Sequence, residues 1–186
     1  METTSLQSVS QETKGSPNTD SFDVTVLSVV VPLYCEASNI DYLFERLRAV
    51  LSELGLSYEI VCVDDGSFDE TLAALKRHAQ QDTRIKVVAL SRNFGKEVAL
   101  SAGIDYACGR AVIPIDADLQ DPPELIGALV AKWKEGYDVV YAKRRSRQGE
   151  SWFKKWTANS FYRVISQMSK VPIPQDTGDF RLLMTR

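Results

Sequence analysis

Two hydrophobic rhythms alternate along this chain from Val24 onward. Leu27-Ser-Val-Val-Val-Pro-Leu33 is a β-branched run too short for most helices. It predicts a buried strand ending near Pro32, because proline is disruptive inside a sheet. After Tyr34-Cys-Glu-Ala-Ser-Asn39, apolar residues return with helical spacing at Leu43, Phe44, Leu47, Val50, Leu51 and Leu54. That spacing predicts a helix capped by Ser38 and stopped by Gly55. Tyr58 to Val63 reads as a second buried strand. Ser67 with Glu70 reads as a capping box for a helix carrying Leu72 and Leu75. Ile85 to Leu90 is the third strand, followed by an Ala-rich helix to about Ala107. Gly109 breaks that helix before a fourth strand, Ala111 to Ile115. The next helix runs from Pro123 and buries Leu125, Ile126, Leu129, Val130 and Trp133. Gly136 ends it before a fifth strand, Val139 to Tyr141. Strand and helix alternating with short connections predict an α/β fold, a mostly parallel sheet with helices on both faces.

At 186 residues the chain suits one domain with a sizeable core. Residues 1–23 are rich in Ser, Thr, Gln and Glu, lack the basic-then-apolar order of a secretion signal, and read as a disordered tail. No apolar run is long enough to span a membrane. The net charge of −3, with Lys and Arg dispersed, argues against a nucleic-acid-binding body while leaving room for a local basic patch. Cys35, Cys62 and Cys108 lack metal-type spacing and read as reduced, partly buried thiols. The single histidine, His78, reads as a solvated surface group, so His-cluster metal sites and Ser-His catalysis find little support.

Ligands of such sheets bind beyond the carboxyl ends of the strands. Polar groups follow each strand in turn: Glu36, Asp64-Asp65, Arg92, Asp116 with Asp118, and Arg144-Arg145. In Val112-Ile-Pro-Ile-Asp-Ala-Asp-Leu-Gln-Asp-Pro-Pro123, Asp116 and Asp118 lie one residue apart at a strand end. They share a face if strand geometry persists. Hard oxygen ligands at that spacing suit Mg²⁺ or Mn²⁺, ions that keep waters and accept phosphate oxygens. The alternative is an acidic turn in which Asp121 caps the helix and Glu124 completes a capping box. Asp121 and Glu124 fit that role, whereas Asp116 and Asp118 precede it. Neither G-x-G-x-x-G nor a Walker lysine loop is present, so dinucleotide and P-loop readings lose their usual support. A metal with basic side chains is another way to hold a diphosphate, and this edge carries residues of both kinds.

Four strings in order carry a resemblance: Ser28-Val-Val-Val-Pro-Leu-Tyr-Cys-Glu36, Val63-Asp-Asp-Gly-Ser67, Asp116-Ala-Asp-Leu-Gln-Asp-Pro-Pro123 and Thr177-Gly-Asp-Phe-Arg181. Together they resemble family 2 glycosyltransferases of the GT-A fold, a Rossmann-like, mostly parallel sheet flanked by helices. Arg92-Asn-Phe-Gly-Lys-Glu97 and Val112-Ile-Pro-Ile-Asp-Ala-Asp118 are most similar to bactoprenol (undecaprenyl-phosphate) glucosyltransferases, with dolichol-phosphate mannose synthases and aminoarabinose transferases as cousins. The resemblance runs from Leu27 to Arg186 and makes 24–186 the catalytic domain.

It implies a nucleotide pocket lined by Pro32, Tyr34 and Glu36, with Asp64 or Asp65 accepting a uracil imide N–H. Arg92, Lys96 and Ala117 join that pocket. Asp116 lies near the ribose, and Asp118 binds the metal with support from Gln120. Arg144 or Arg145 meets phosphate charge, unless the pair is a solvated basic loop. Asp176 and Asp179, flanking Gly178, position acceptor or sugar, or else form a turn with Asx-type hydrogen bonds. Cys35 departs from the pattern, standing where many relatives have Asn.

The implied reaction moves a sugar, glucose from UDP-glucose, to a polyprenyl phosphate with inversion. The lipid phosphate is already an anion, so no strong base is needed. A divalent cation and arginines stabilise the departing UDP. GDP-mannose as donor, a non-catalytic nucleotide-sugar binding module and a phospho-acceptor signalling domain are the alternatives. The last does not explain Asp116-Ala-Asp118. Residues 151–169 place Phe153, Trp156, Phe161, Val164, Ile165 and Met168 at helical spacing beside Lys154, Lys155, Arg163 and Lys170. Such a helix suits either a membrane headgroup region or packing on the sheet. The resemblance implies a truncated chain, lacking C-terminal membrane helices, from a protein on the cytoplasmic side of the bacterial inner membrane. A homo-oligomer is compatible with the sequence, which does not set the oligomeric state.

Overall fold

The computed structural model describes residues 25–143 and 177–184. Their elements are β1 (Leu27–Leu33), α1 (Ile40–Glu53), β2 (Tyr58–Asp64), α2 (Thr71–Gln81), β3 (Ile85–Ala89), α3 (Lys96–Tyr106), β4 (Ala111–Pro114), α4 (Leu125–Lys134), β5 (Val139–Lys143) and β6 (Thr177–Met184). The six strands form one sheet in the order β3-β2-β1-β4-β6-β5. β1 pairs in parallel with β2 and β4, and β2 with β3, whereas β6 runs antiparallel between β4 and β5. The alternating mostly parallel sheet anticipated from the sequence is present. β6 is an addition that strand-helix alternation did not foretell.

Burial explains the two periodicities. Leu27, Val29, Val31 and Leu33 of β1 face Leu43, Phe44, Leu47 and Leu51 of α1, with α2 and α4 completing this layer. Val30, Val61, Val63 and Val112 face the other way, under Ala99 of α3. Central strands covered on both faces read as continuous apolar runs, and every residue of β2 is buried. α3 approaches the sheet closely because Gly103 lacks a side chain: a Cβ there would lie 2.4 Å from Val30 Cγ1. At the amino end of the sheet, buried Glu59 accepts through Oε1 from Ser28 Oγ and the Cys108 N–H, both at 2.6 Å. This pins the α3–β4 turn beneath the sheet.

Three local expectations need correction. α1 begins at Ile40 with Asn39, not Ser38, as its cap residue, and the Asn39 amide donates to Glu36 Oε2 at 2.6 Å rather than capping. His78 is not a solvated group. Its side chain is 15% exposed, its ring lies 4.4 Å from the Phe44 ring, and its Nε2 is 2.7 Å from Asp41 Oδ1. α4 starts at Leu125, after the Pro122-Pro123 turn, with no side-chain cap. The cap residue is thus Glu124 rather than Asp121, and the Glu124 carboxylate pairs with Arg46 of α1.

Candidate functional site

The strand order reverses between β1 and β4: the chain steps one way from β1 to β2 and β3, then crosses back to β4 on the other side. Loops leaving β1 and β4 at their carboxyl ends diverge there and open a crevice. The β1 loop is shaped from outside. Its successive N–H groups at Cys35, Glu36 and Ala37 donate to Ser67 Oγ (2.9 Å), Thr71 Oγ1 (2.9 Å) and Asp69 Oδ2 (3.4 Å). Ser67 thus turns sideways to hold a neighbouring loop, which is why it does not cap α2; that helix starts at Thr71 without a side-chain cap. The Thr71 hydroxyl, chiefly, holds the Asp69 carboxyl below its usual range.

The loop before α3 is fastened to β2. Asp65, 3% exposed, accepts from the Phe94 N–H through Oδ1 (2.8 Å) and the Gly95 N–H through Oδ2 (2.9 Å). Gly66, at φ 68°, lets these segments meet, since a Cβ there would sit 2.4 Å from the Arg92 carbonyl carbon. Lys96, the first residue of α3, consequently reaches Asp116, with Nζ 2.7 Å from Oδ1 and 2.9 Å from Oδ2. Beyond it, the exposed Asp118 accepts the Gln120 N–H at 3.1 Å. Leu119 between them takes a positive φ of 52°.

These loops enclose a cleft of about 320 Å³. Of the residues singled out from sequence, Pro32, Tyr34, Glu36, Asp65, Lys96, Asp116, Ala117 and Asp118 line it. Asp64, Arg92 and Gln120 do not. Asp64 is buried within β2, 1% exposed, with Oδ1 lacking a hydrogen-bond partner among the described residues. The Arg92 guanidinium lies 4.8 Å from the centre of the Phe94 ring. Gln120 reaches Asp118 through its backbone N–H. Asn93 and Gly95 also line the cleft; both lay inside the Arg-Asn-Phe-Gly-Lys string, but neither carries a charge that would have marked it. Arg144, Arg145, Asp176 and the 151–169 segment lie outside the described residues. So does the 1–23 tail. Gly178 and Asp179 belong to strand β6, which replaces the turn considered for them.

Four carboxylates, from Glu36, Asp65, Asp116 and Asp118, line the cleft against one ammonium. Such a surface repels a diphosphate unless a cation intervenes. Among the described residues no three His, Cys, Asp or Glu side chains converge as a ready-made metal cage. The donor set fits Mg²⁺ or Mn²⁺ in another way, since these ions are commonly held by one or two carboxylates with substrate phosphates and waters completing the shell.

The model of glycosyl transferase family 2 matches residues 28–186. The chain belongs to this family. It is 63% identical over 157 residues to an uncharacterized glycosyltransferase of Synechocystis sp., covering 84% of this chain and 49% of that protein. It is 41% identical to the bactoprenol glucosyl transferase of Shigella phage SfV, covering 84% of this chain and 51% of that one. The chain thus spans about half the length of the curated relatives it matches. Among solved structures, mannosyl-3-phosphoglycerate synthase from Rubrobacter xylanophilus superposes with a TM-score of 0.64 at 19% identity, over 86% of this chain and 53% of that one. The shared fold is GT-A. S. aureus TarS in complex with UDP-GlcNAc aligns with a TM-score of 0.51 at 26% identity, over 68% of this chain and 36% of that one.

Proposed function

We propose that residues 24–186 form the catalytic domain of an inverting, divalent-metal-dependent transferase that moves glucose from UDP-glucose to a polyprenyl phosphate. It would work at the cytoplasmic face of the bacterial inner membrane. The observation that carries this reading is the convergence of Glu36, Asp65, Lys96, Asp116 and Asp118 on one cleft at the β1/β4 reversal. Likeness to bactoprenol glucosyl transferases supports the sugar and the lipid acceptor, and likeness to TarS bound to UDP-GlcNAc supports a uridine nucleotide.

In this reading Pro32 and Tyr34 flank the nucleoside, and Glu36 accepts from base or ribose. Asp65 keeps lone pairs beyond its two backbone contacts, and these can accept the imide N–H of uracil. Asp118, with Asp116, would hold Mg²⁺ or Mn²⁺, which when bound supplies positive charge to the diphosphate. Arg144 and Arg145 would add guanidinium contacts. Asp176 and Asp179 would position sugar or acceptor. The acceptor phosphate attacks as an anion, so the chain's task is alignment and charge stabilisation of the leaving nucleotide rather than proton removal. Calorimetry with UDP and GDP in the presence of Mn²⁺ tests the donor assignment. Tighter binding of UDP is expected; tighter binding of GDP would overturn it in favour of a GDP-mannose enzyme.

A further inference from the structure

Lys96 is an unusual choice for the place it fills. It opens α3, where the helix dipole disfavours a cation and favours an anion. Its ammonium nevertheless contacts both oxygens of Asp116, at 2.7 and 2.9 Å. The backbone that presents it is anchored by the two N–H contacts to Asp65. Its side chain is 47% exposed and that of Asp116 34%, so the pair is solvated enough to exchange partners by a rotamer change.

A divalent ion shared by Asp116 and Asp118 would lie beside this ammonium, and the two cations repel. Phosphate oxygens at the α3 N-terminus would offer Lys96 another anion, suited both to its charge and to the helix dipole. We propose that Lys96 is a positioning residue that competes with the divalent cation for Asp116 and exchanges that carboxylate for donor phosphate. Metal binding would thereby depend on the nucleotide. This rests on the metal and nucleotide reading above and adds an order to it: the cleft holds metal tightly only when the diphosphate draws Lys96 away.

The test is titration of Mn²⁺ into the chain, alone and with UDP, with free Mn²⁺ followed by electron paramagnetic resonance. Wild type, K96M and K96R are compared, with thermal melts to verify folding and K96Q in reserve should K96M melt early. Without UDP, K96M should bind Mn²⁺ about three- to tenfold more tightly than wild type. The tightening produced by UDP should shrink in K96M, and K96R should restore wild-type behaviour. If wild type binds Mn²⁺ with UDP but K96M shows no gain without it, the competition is refuted while the metal reading stands. If wild type takes up no Mn²⁺ even with UDP, the metal reading itself fails and the inference falls with it.

Discussion

Cys35 adopts φ 55°, a left-handed conformation that non-glycine residues seldom take, and does so at the mouth of the cleft. Its N–H is committed to Ser67 Oγ, so the strained geometry is part of how the β1 loop is held. Asparagine tolerates this region better than cysteine. Cys35→Asn should therefore stabilise the chain by about 0.5–1 kcal/mol, read as a higher urea midpoint; a lower midpoint would show that the thiol makes a compensating contact. At the same scale Cys62 contrasts sharply, because complete burial pushes its thiol up to about 12 and leaves it inert.

Among the elements, the tie at the end of α2 illustrates stabilisation at a distance from the cleft. Asp82 accepts from Arg84 Nε (2.9 Å) and from Arg48 Nε of α1 (3.3 Å), joining α1, α2 and the start of β3. Arg84 chiefly, aided by Arg48, lowers the Asp82 carboxyl from 3.8 to about 2. A depressed carboxyl contributes stability above its unfolded pKa and loses it as the pH falls through the folded value. Asp82→Asn should cost about 1–2 kcal/mol near neutral pH, and the gap from wild type should close between about pH 4 and pH 2. A gap independent of pH in urea melts would assign the effect to packing. Element existence was legible in the sequence because buried strands and amphipathic helices announce themselves by period. Caps were not: Ser67 and Glu124 have the right types for helix starts, but tertiary partners, the Cys35 N–H and Arg46, claim them. β6 was hidden because its pairing with β4 and β5 is antiparallel and long-range, and its Thr177-Gly-Asp179 start reads locally as a turn.

For the molecule as a whole, a sheet whose strand order reverses beside β1 brings the segments that follow β1, β2, β3 and β4 together as one acidic rim. The order of chemistry along that rim was readable, since every parallel strand ends on the same side. Which members face inward was not, because Asp64 and Asp65 differ by one residue and therefore by one face of the strand. The cleft that results carries more negative charge than a diphosphate tolerates, and the proposed function depends on a cation to reconcile the two. The most direct measurement is calorimetric titration of UDP, with and without Mn²⁺, into wild type, D118N and D121N, with melts confirming the fold of each. Mn²⁺ should tighten UDP binding by about tenfold or more in wild type and in D121N, whose side chain lies off the cleft, and should leave D118N unchanged. Persistence of the Mn²⁺ effect in D118N, or equal loss in both variants, would contradict a metal-held diphosphate at Asp118.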